Sequence, residues 1–367
     1  MSPASTTSRT MIRRALSLFA VVPLAMGLAA CGGSGNAESG DAAASGGTAD
    51  ELRLGYFANV THAPALIGVQ EGLLTKELGD TKLTTQVFNA GPDEVEALFA
   101  GAIDAAYIGP SPTINAYGQS DGDAIRIIAG AASGGAQLVV RDGINSAADL
   151  KGTTLASPQL GNTQDVALRT WLTDQGLDNS VSGGGDVTVA PTANADVLNL
   201  FKSGDLDGAW APEPYASRLV LEGGGHVLVN EKDLWPDGRF VTTHLIVRTE
   251  FLQKYPDTVA ALLRGHVAAV QEATDDADKA KTSVNAGLEA AGGKALSAEV
   301  LDRAWSELTV TYDPIASALK QSAENGVAAG TTEKEVDLDG IYDLRPLNAV
   351  LEDQGLDTVS AGGLGDE

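Results

Sequence analysis

The chain has 367 residues, with 49 acidic against 24 basic side chains and a formal charge of −25. So acidic a surface argues against nucleic acid as a partner and against docking on anionic lipid through a basic patch. Hydrophobic residues make up 43% of the chain, enough for real cores, and the length suggests two lobes.

The first element is a leader. Arg9, Arg13 and Arg14 precede an uncharged run from Ala15 to Ala30, which is short for a membrane span of about 20 residues. The run closes on Leu28-Ala29-Ala30-Cys31, and Cys31 is the only cysteine, so it has no disulfide partner within the chain. Small residues just before a cysteine resemble the cleavage box of bacterial lipoproteins. That resemblance implies removal of residues 1–30, a lipid on Cys31, and tethering at the extracytoplasmic face of a membrane. Losing three arginines and no acid would leave a charge of −28. Residues 31–50 are mostly Gly, Ala and Ser with a few acids, and read as a flexible tether.

Short apolar strands then alternate with helical stretches. Strands are expected at Leu52–Tyr56, Thr84–Phe88, Ala105–Gly109, Ile125–Ala131 and Gln137–Arg141, with helices near Ala63–Leu78, Pro92–Ala100 and after Ser111. The pattern restarts with strands at Thr153–Ser157, Asp186–Ala190 and Gly208–Trp210, and helices at Gln164–Gln175 and Ala193–Ser203. After a strand at His244–Arg248 come helices at Pro256–Thr274, Asp278–Ala291, Ser297–Leu308 and Pro314–Asn325. This alternation predicts an α/β protein with parallel strand pairing. Two α/β units and a late return of helices predict two lobes joined by two crossovers, near Val140–Asp142 and Val241–His244. Lobe 1 would take residues 51–140 and 245–357, lobe 2 residues 141–244, and residues 358–367 would form a flexible tail.

Four loops at strand ends hold the candidate site. In Asn59-Val60-Thr61-His62-Ala63-Pro64 a polar residue and a proline open a helix, whose free N–H groups suit an anion. In Gly109-Pro110-Ser111-Pro112, Gly109 lets backbone approach a ligand closely and Ser111 offers a hydroxyl. Gly161-Asn162-Thr163-Gln164 sets polar donors at another helix start. It lacks the lysine and glycine spacing of a P-loop. In Trp210-Ala211-Pro212-Glu213-Pro214, Trp210 either lines a cleft or packs in a core, and Glu213 either meets a cationic group or caps the next helix. Chemistry is otherwise poorly signalled: His62, His226, His244 and His266 form no HExxH pair, there is no GxSxG elbow, and the EF-hand-like run from Glu335 has Pro346 where the loop needs glutamate. No catalytic residue, metal or cofactor is assigned.

These stretches, with Asp149-Leu150-Lys151-Gly152 and Arg248-Thr249-Glu250-Phe251-Leu252, resemble in order the substrate-binding lipoproteins of nitrate, taurine and alkanesulfonate ABC importers, over about residues 51–355. The resemblance implies a two-lobed periplasmic-binding-protein fold of type 2: two mixed sheets flanked by helices and a double crossover hinge. It implies a ligand held between the lobes at Thr61, His62, Gly109, Ser111, Asn162, Thr163 and the Trp210–Glu213 loop, with His244 a further candidate. The implied partners are a small anionic solute, first an alkanesulfonate or taurine, and the permease and ATPase of an ABC importer served by a monomer. A heteroaromatic thiamine-pyrimidine precursor, or nitrate and bicarbonate-like anions, are the alternatives. A pyrimidine synthase of the same family relies on a cysteine-rich motif that this sequence lacks, which speaks against an enzyme.

Overall fold

Thirteen strands are distributed over two sheets in the computed structural model, which describes residues 47–367. They are β1 (Glu51–Phe57), β2 (Lys82–Phe88), β3 (Ala105–Ile108), β4 (Ile125–Gly134), β5 (Ala136–Val140), β6 (Thr154–Ser157), β7 (Thr188–Pro191), β8 (Gly208–Pro212), β9 (His226–Asn230), β10 (Val241–Arg248), β11 (Leu308–Val310), β12 (Tyr342–Asp343) and β13 (Gly365–Asp366). One sheet runs β13-β12-β4-β10-β3-β1-β2, with β11 also paired to β4; the other runs β7-β6-β8-β5-β9. Both are mixed. β1 pairs in parallel with β2 and β3, whereas β10 is antiparallel to β3 and β4. β6 pairs in parallel with β7 and β8, whereas β5 is antiparallel to β8 and β9.

Both passages between sheets fall earlier than expected. β5 lies in the second sheet, so the chain changes sheets at Gly134-Gly135 rather than near Val140–Asp142. Both glycines take left-handed backbone, at φ 76° and 73°, which lets the chain turn out of one sheet directly into the other. The return is complete by Val241, because β10 is already paired in the first sheet. An apolar run shows that a strand exists but not which sheet will pair with it.

Alternation along β5 explains how the second sheet is covered on both faces. Leu138 and Val140 pack on one face with Leu168, Leu172 and Trp210, while Val139 packs on the other with Phe201 and Leu219. Side chains of period two therefore bury against helices on both sides. The expected helix over 63–78 is two helices, Ala63–Gln70 and Leu73–Leu78, divided at Gly72.

Both ends differ from expectation. The leader, Cys31 and the tether as far as residue 46 lie outside the described residues. The last tether residues, 47–50, are held to the body: Ala49 donates its N–H to Thr258 Oγ1 at 2.8 Å and accepts from Thr81 Oγ1 at 2.6 Å. The tail over 358–367 is also bonded in place. Asn348 exchanges two hydrogen bonds with Val359, at 2.9 and 3.0 Å, and β13 pairs with β12. Glycine-rich composition signalled fraying, but Ala361 and Leu364 supply enough buried surface to hold the segment. Among the described residues no helix is long and apolar enough to cross a membrane.

One buried group opposes the fold. Glu94, on the helix Gly91–Phe99, is fully buried, and neither carboxyl oxygen has a hydrogen-bond partner among the described residues. A Cβ on Gly55 would stand 2.4 Å from Glu94 Oε1, which accounts for glycine in the middle of β1. Burial holds the carboxyl's proton well above the ordinary carboxylate range. Above about pH 5 the folded state therefore keeps a proton that the unfolded chain has released, and this group's contribution falls as pH rises. Glu94→Leu is expected to raise stability at pH 8 by about 1–3 kcal/mol, the cost of an unpaired buried polar group. The gain should be smaller at pH 5. Urea unfolding at the two pH values checks this, and an equal or absent gain refutes it.

Candidate functional site

The carboxyl ends of β1, β3, β6 and β8 face one another across the two sheets, where open α/β sheets place ligands. The first sheet brings Phe57, Asn59, Thr61, His62, Gly109 and Thr242 to a void there; the second brings Asn162, Thr163, Gln164, Asn194 and Pro212. The space open to the centre of a water molecule is about 10 Å³. An adjoining void of about 20 Å³ shares Thr163 and is lined by Ser111, Val166, Glu231, Trp235 and Phe240. A larger hollow of about 880 Å³, at Tyr117, Asp121 and the segment 331–339, lies outside this cleft. Its Tyr117 hydroxyl is already spent on the Asp339 carbonyl.

Six of the sequence-predicted residues behave as two groups. Thr61, His62, Gly109, Asn162 and Thr163 converge on the first void, and Ser111 and Thr163 on the second. Helix starts set the positions. Gly109 precedes the helix Pro110–Gln119, and Asn162 precedes the helix Thr163–Asp174 with its side chain free of any capping bond. Instead, Asn162 Oδ1 lies 3.4 Å from the Gly91 N–H of the first lobe. Thr163 Oγ1 is buried without a hydrogen-bond partner among the described residues. It lies 2.2 Å from where a Cβ on Gly109 would be, so a glycine here lets the two lobes touch.

His62 is neutral. Its Nδ1 accepts from the Phe57 N–H at 3.2 Å, which leaves the ring proton on Nε2, and the ring stacks on Phe57 at 4.5 Å. Burial pushes its pKa down to about 3. No Lys, Arg or cationic His therefore lines either void among the described residues, and the donors are hydroxyls, amides and helix N–H groups.

Three predicted ligand residues lie elsewhere. Trp210 is fully buried in the second-lobe core, tilted against Trp171 at 6.2 Å, with its Nε1–H donated to Glu231 Oε2 at 2.7 Å. Glu213 is a strut. Its Oε1 pairs with Arg303 Nη1 at 3.1 Å, its Oε2 accepts from the Ser217 N–H at 3.0 Å, and its carbonyl accepts from the Val60 N–H at 3.1 Å. Burial lifts its pKa to about 7 despite bonds to Ser217 and the charge of Arg303, which pull it down. His244, within β10, turns away from the cleft: Nε2 donates to the Pro314 carbonyl at 3.2 Å and the ring packs edge-on against Tyr342. Loop proximity in sequence placed these three near the site, but strand alternation and core packing took the side chains inward.

The sequence reading missed Gln164, Asn194, Thr242, Glu231, Trp235 and Phe240. Asn194 and Gln164 open helices and could have been found by the same helix-start reasoning. The segment 231–240 connects the second sheet back to the first and has no strand periodicity, so nothing in it pointed to the cleft.

Residues 45–286 match the model of the NMT1-like family. The chain belongs to the NMT1-like family. It is 27% identical over 213 residues to the taurine-binding periplasmic protein of Escherichia coli, covering 57% of this chain and 62% of that one. The matched stretch is thus less than two thirds of the relative's length. The structure of the alkanesulfonate-binding protein SsuA from Xanthomonas axonopodis, bound to MOPS, superposes with a TM-score of 0.65 at 22% identity, over 78% of this chain and 96% of that one. A desulfurization enzyme, DSZB, in complex with biphenyl-2-sulfinic acid, also shares the fold, with a TM-score of 0.57 at 18% identity over 83% and 99% of the two chains. The two-lobed binding-protein architecture is therefore that of the solved relatives, and this NMT1-like chain has both mixed sheets in the expected arrangement.

Proposed function

We propose that this chain is the extracytoplasmic substrate-binding lipoprotein of an ABC importer. It captures a small organic anion between its lobes, an alkanesulfonate or taurine, and delivers it to the permease without chemical change. The observation that carries this reading is the Thr163 hydroxyl, buried without a partner among the described residues where both lobes meet and beside the start of the helix Thr163–Asp174. A sulfonate ionises at all physiological pH and presents three acceptor oxygens. Neutral donors can satisfy it without a counter-ion, as helix N-termini do for anions. The taurine- and alkanesulfonate-binding relatives support the same ligand class. Relatives named as binding proteins support binding rather than turnover.

The membrane tether rests on the Leu28–Cys31 box, and the intact mass of the protein extracted from its native membrane reads the lipid on Cys31 directly. For the ligand, a thermal-shift panel of sulfonates, nitrate and pyrimidines comes first. A ligand that binds only the folded form adds about 2.7 kcal/mol of stability at a hundredfold excess over Kd. A hydrogen bond to an ionised acceptor is worth about 1.5–3 kcal/mol. Ser111→Ala and Thr163→Ala should each weaken the best ligand about tenfold to a hundredfold, with little change in the free protein's melting temperature. Calorimetric titration is the check; parental affinity in both variants would place the ligand elsewhere.

A further inference from the structure

Glu231 is the single carboxylate lining either void among the described residues. Its side chain is 2% exposed and takes part in no ion pair among the described residues. One oxygen accepts from Trp210 Nε1 at 2.7 Å, and the Trp235 side chain also hydrogen-bonds the carboxyl. A carboxylate has room for about four hydrogen bonds, so about half of its accepting capacity is unspent. Burial raises its pKa to about 7, and the cleft wall supplies no cation that would hold it ionised.

The two voids therefore differ in kind. The first is bounded by hydroxyls, amides, the His62 ring and helix N–H groups, all of which serve an anion. The second ends in Glu231, with Trp235 and Phe240 stacked beside it at 5.5 Å and an interplanar angle of 10°. Aromatic faces attract cations, and a carboxylate repels a bare anion. Thr163 borders both voids, and the Ser111 hydroxyl joins it in the second, so the donor end and the acid end adjoin at Thr163.

Resting on the binding-protein reading above, we infer that Glu231 is the specificity-determining residue of the cleft. It accepts hydrogen bonds from an ammonium or amino group carried by the ligand at the end away from its anionic head. The protein then selects amino-substituted organic anions over plain-chain sulfonates and over inorganic oxoanions such as nitrate. The arrangement gains selectivity twice: an amine satisfies Glu231, and a ligand without one leaves the carboxylate facing it unpaired.

The test is calorimetric titration of the full chain with matched pairs, 2-aminoethanesulfonate against ethanesulfonate and β-alanine against propionate. The parent should bind the amino member at least about tenfold more tightly, the scale of one charge-assisted contact. Glu231→Gln retains an oxygen for the Trp210 N–H, so the fold's own contact survives. In that variant the preference should fall to within about twofold, through weaker binding of the amino member and unchanged or tighter binding of the plain one. A merely structural role for Glu231 would weaken both members together. Equal binding of the two sulfonates by the parent overturns the inference and leaves the sulfonate reading standing. A preference for β-alanine over propionate with no sulfonate bound does the reverse. A preference that survives Glu231→Gln, or no binding of any of the four, overturns the inference as well.

Discussion

Gly109→Val is expected to weaken ligand binding about a hundredfold or more, the largest effect of any single substitution at the cleft. Gly109 has φ −74° and ψ 160°, an extended conformation that any residue adopts, so the substitution brings no backbone strain of its own. Its cost arises across the cleft. A Cβ there stands 2.2 Å from Thr163 Oγ1, 3.3 Å from Thr163 Cβ and 3.5 Å from the Thr242 carbonyl. Alanine meets mainly a hydroxyl, which can rotate aside, whereas the two methyls of valine cannot be placed without separating the lobes. Binding proteins of two lobes grip their ligand by closing on it, so a wedge at this point removes affinity while leaving each lobe's core intact. Kd from calorimetry and the radius of gyration from solution scattering, with and without ligand, read the two halves of the effect. A double-mutant cycle adds a sharper check: in a Thr163→Ala background the penalty of Gly109→Ala should shrink, because the clashing oxygen is gone. Parental affinity in Gly109→Val would mean that this contact is absent from the ligand-bound state.

Legibility in the sequence followed periodicity. Strands such as β1 and β3, and helix starts such as Gly109-Pro110 and Asn162-Thr163, carry local signals, and all four helix-start loops proved to lie at the carboxyl ends of strands. What stayed hidden was pairing. Gln137–Arg141 reads as an apolar strand whether it joins the first sheet or the second, and only the left-handed Gly134-Gly135 pair decides it. Side-chain direction was the second gap. Trp210 and His244 sit on strands that end at or cross near the cleft, yet these strands are buried on both faces, so no alternation marked which residue pointed inward. Glu213 was drawn to the site by its two prolines and belongs to the hinge. Glu231, in an irregular segment, had no pattern to betray it.

Arg303→Ala is expected to destabilise the protein by about 3–5 kcal/mol, the scale for removing one partner of a buried ion pair. Arg303, on the helix Ala298–Ser306, reaches from the C-terminal segment into the second lobe. It donates Nη1 to Glu213 Oε1 at 3.1 Å and to Ser217 Oγ at 2.8 Å, and Nη2 to Gln137 Oε1 at 2.7 Å. Glu213 is fully buried, so without the guanidinium its carboxylate has no cation to answer it. The same residue ties the lobes through its main chain, donating its N–H to the Gly135 carbonyl at 2.8 Å and accepting from Val60. The loss should therefore also loosen the hinge. Its pH dependence has a definite sign. Burial already holds the Glu213 pKa above its ordinary 4.5, at about 7, and losing Arg303 can only raise it further. The folded variant then keeps a proton that the unfolded chain gives up, and its stability falls as pH rises through and beyond that window. At pH 5.5, where the carboxyl is protonated and needs no cation, the deficit relative to the parent should be markedly smaller than at pH 8. Adding Glu213→Gln should recover much of the loss at pH 8, because a neutral amide removes the stranded charge while keeping an acceptor for Ser217. Urea unfolding of the parent and the two variants at both pH values decides it: a deficit under about 1 kcal/mol, the worth of an exposed pair, or one equal at pH 5.5 and 8, would show that Arg303 and Glu213 do not form the hinge's buried pair in solution.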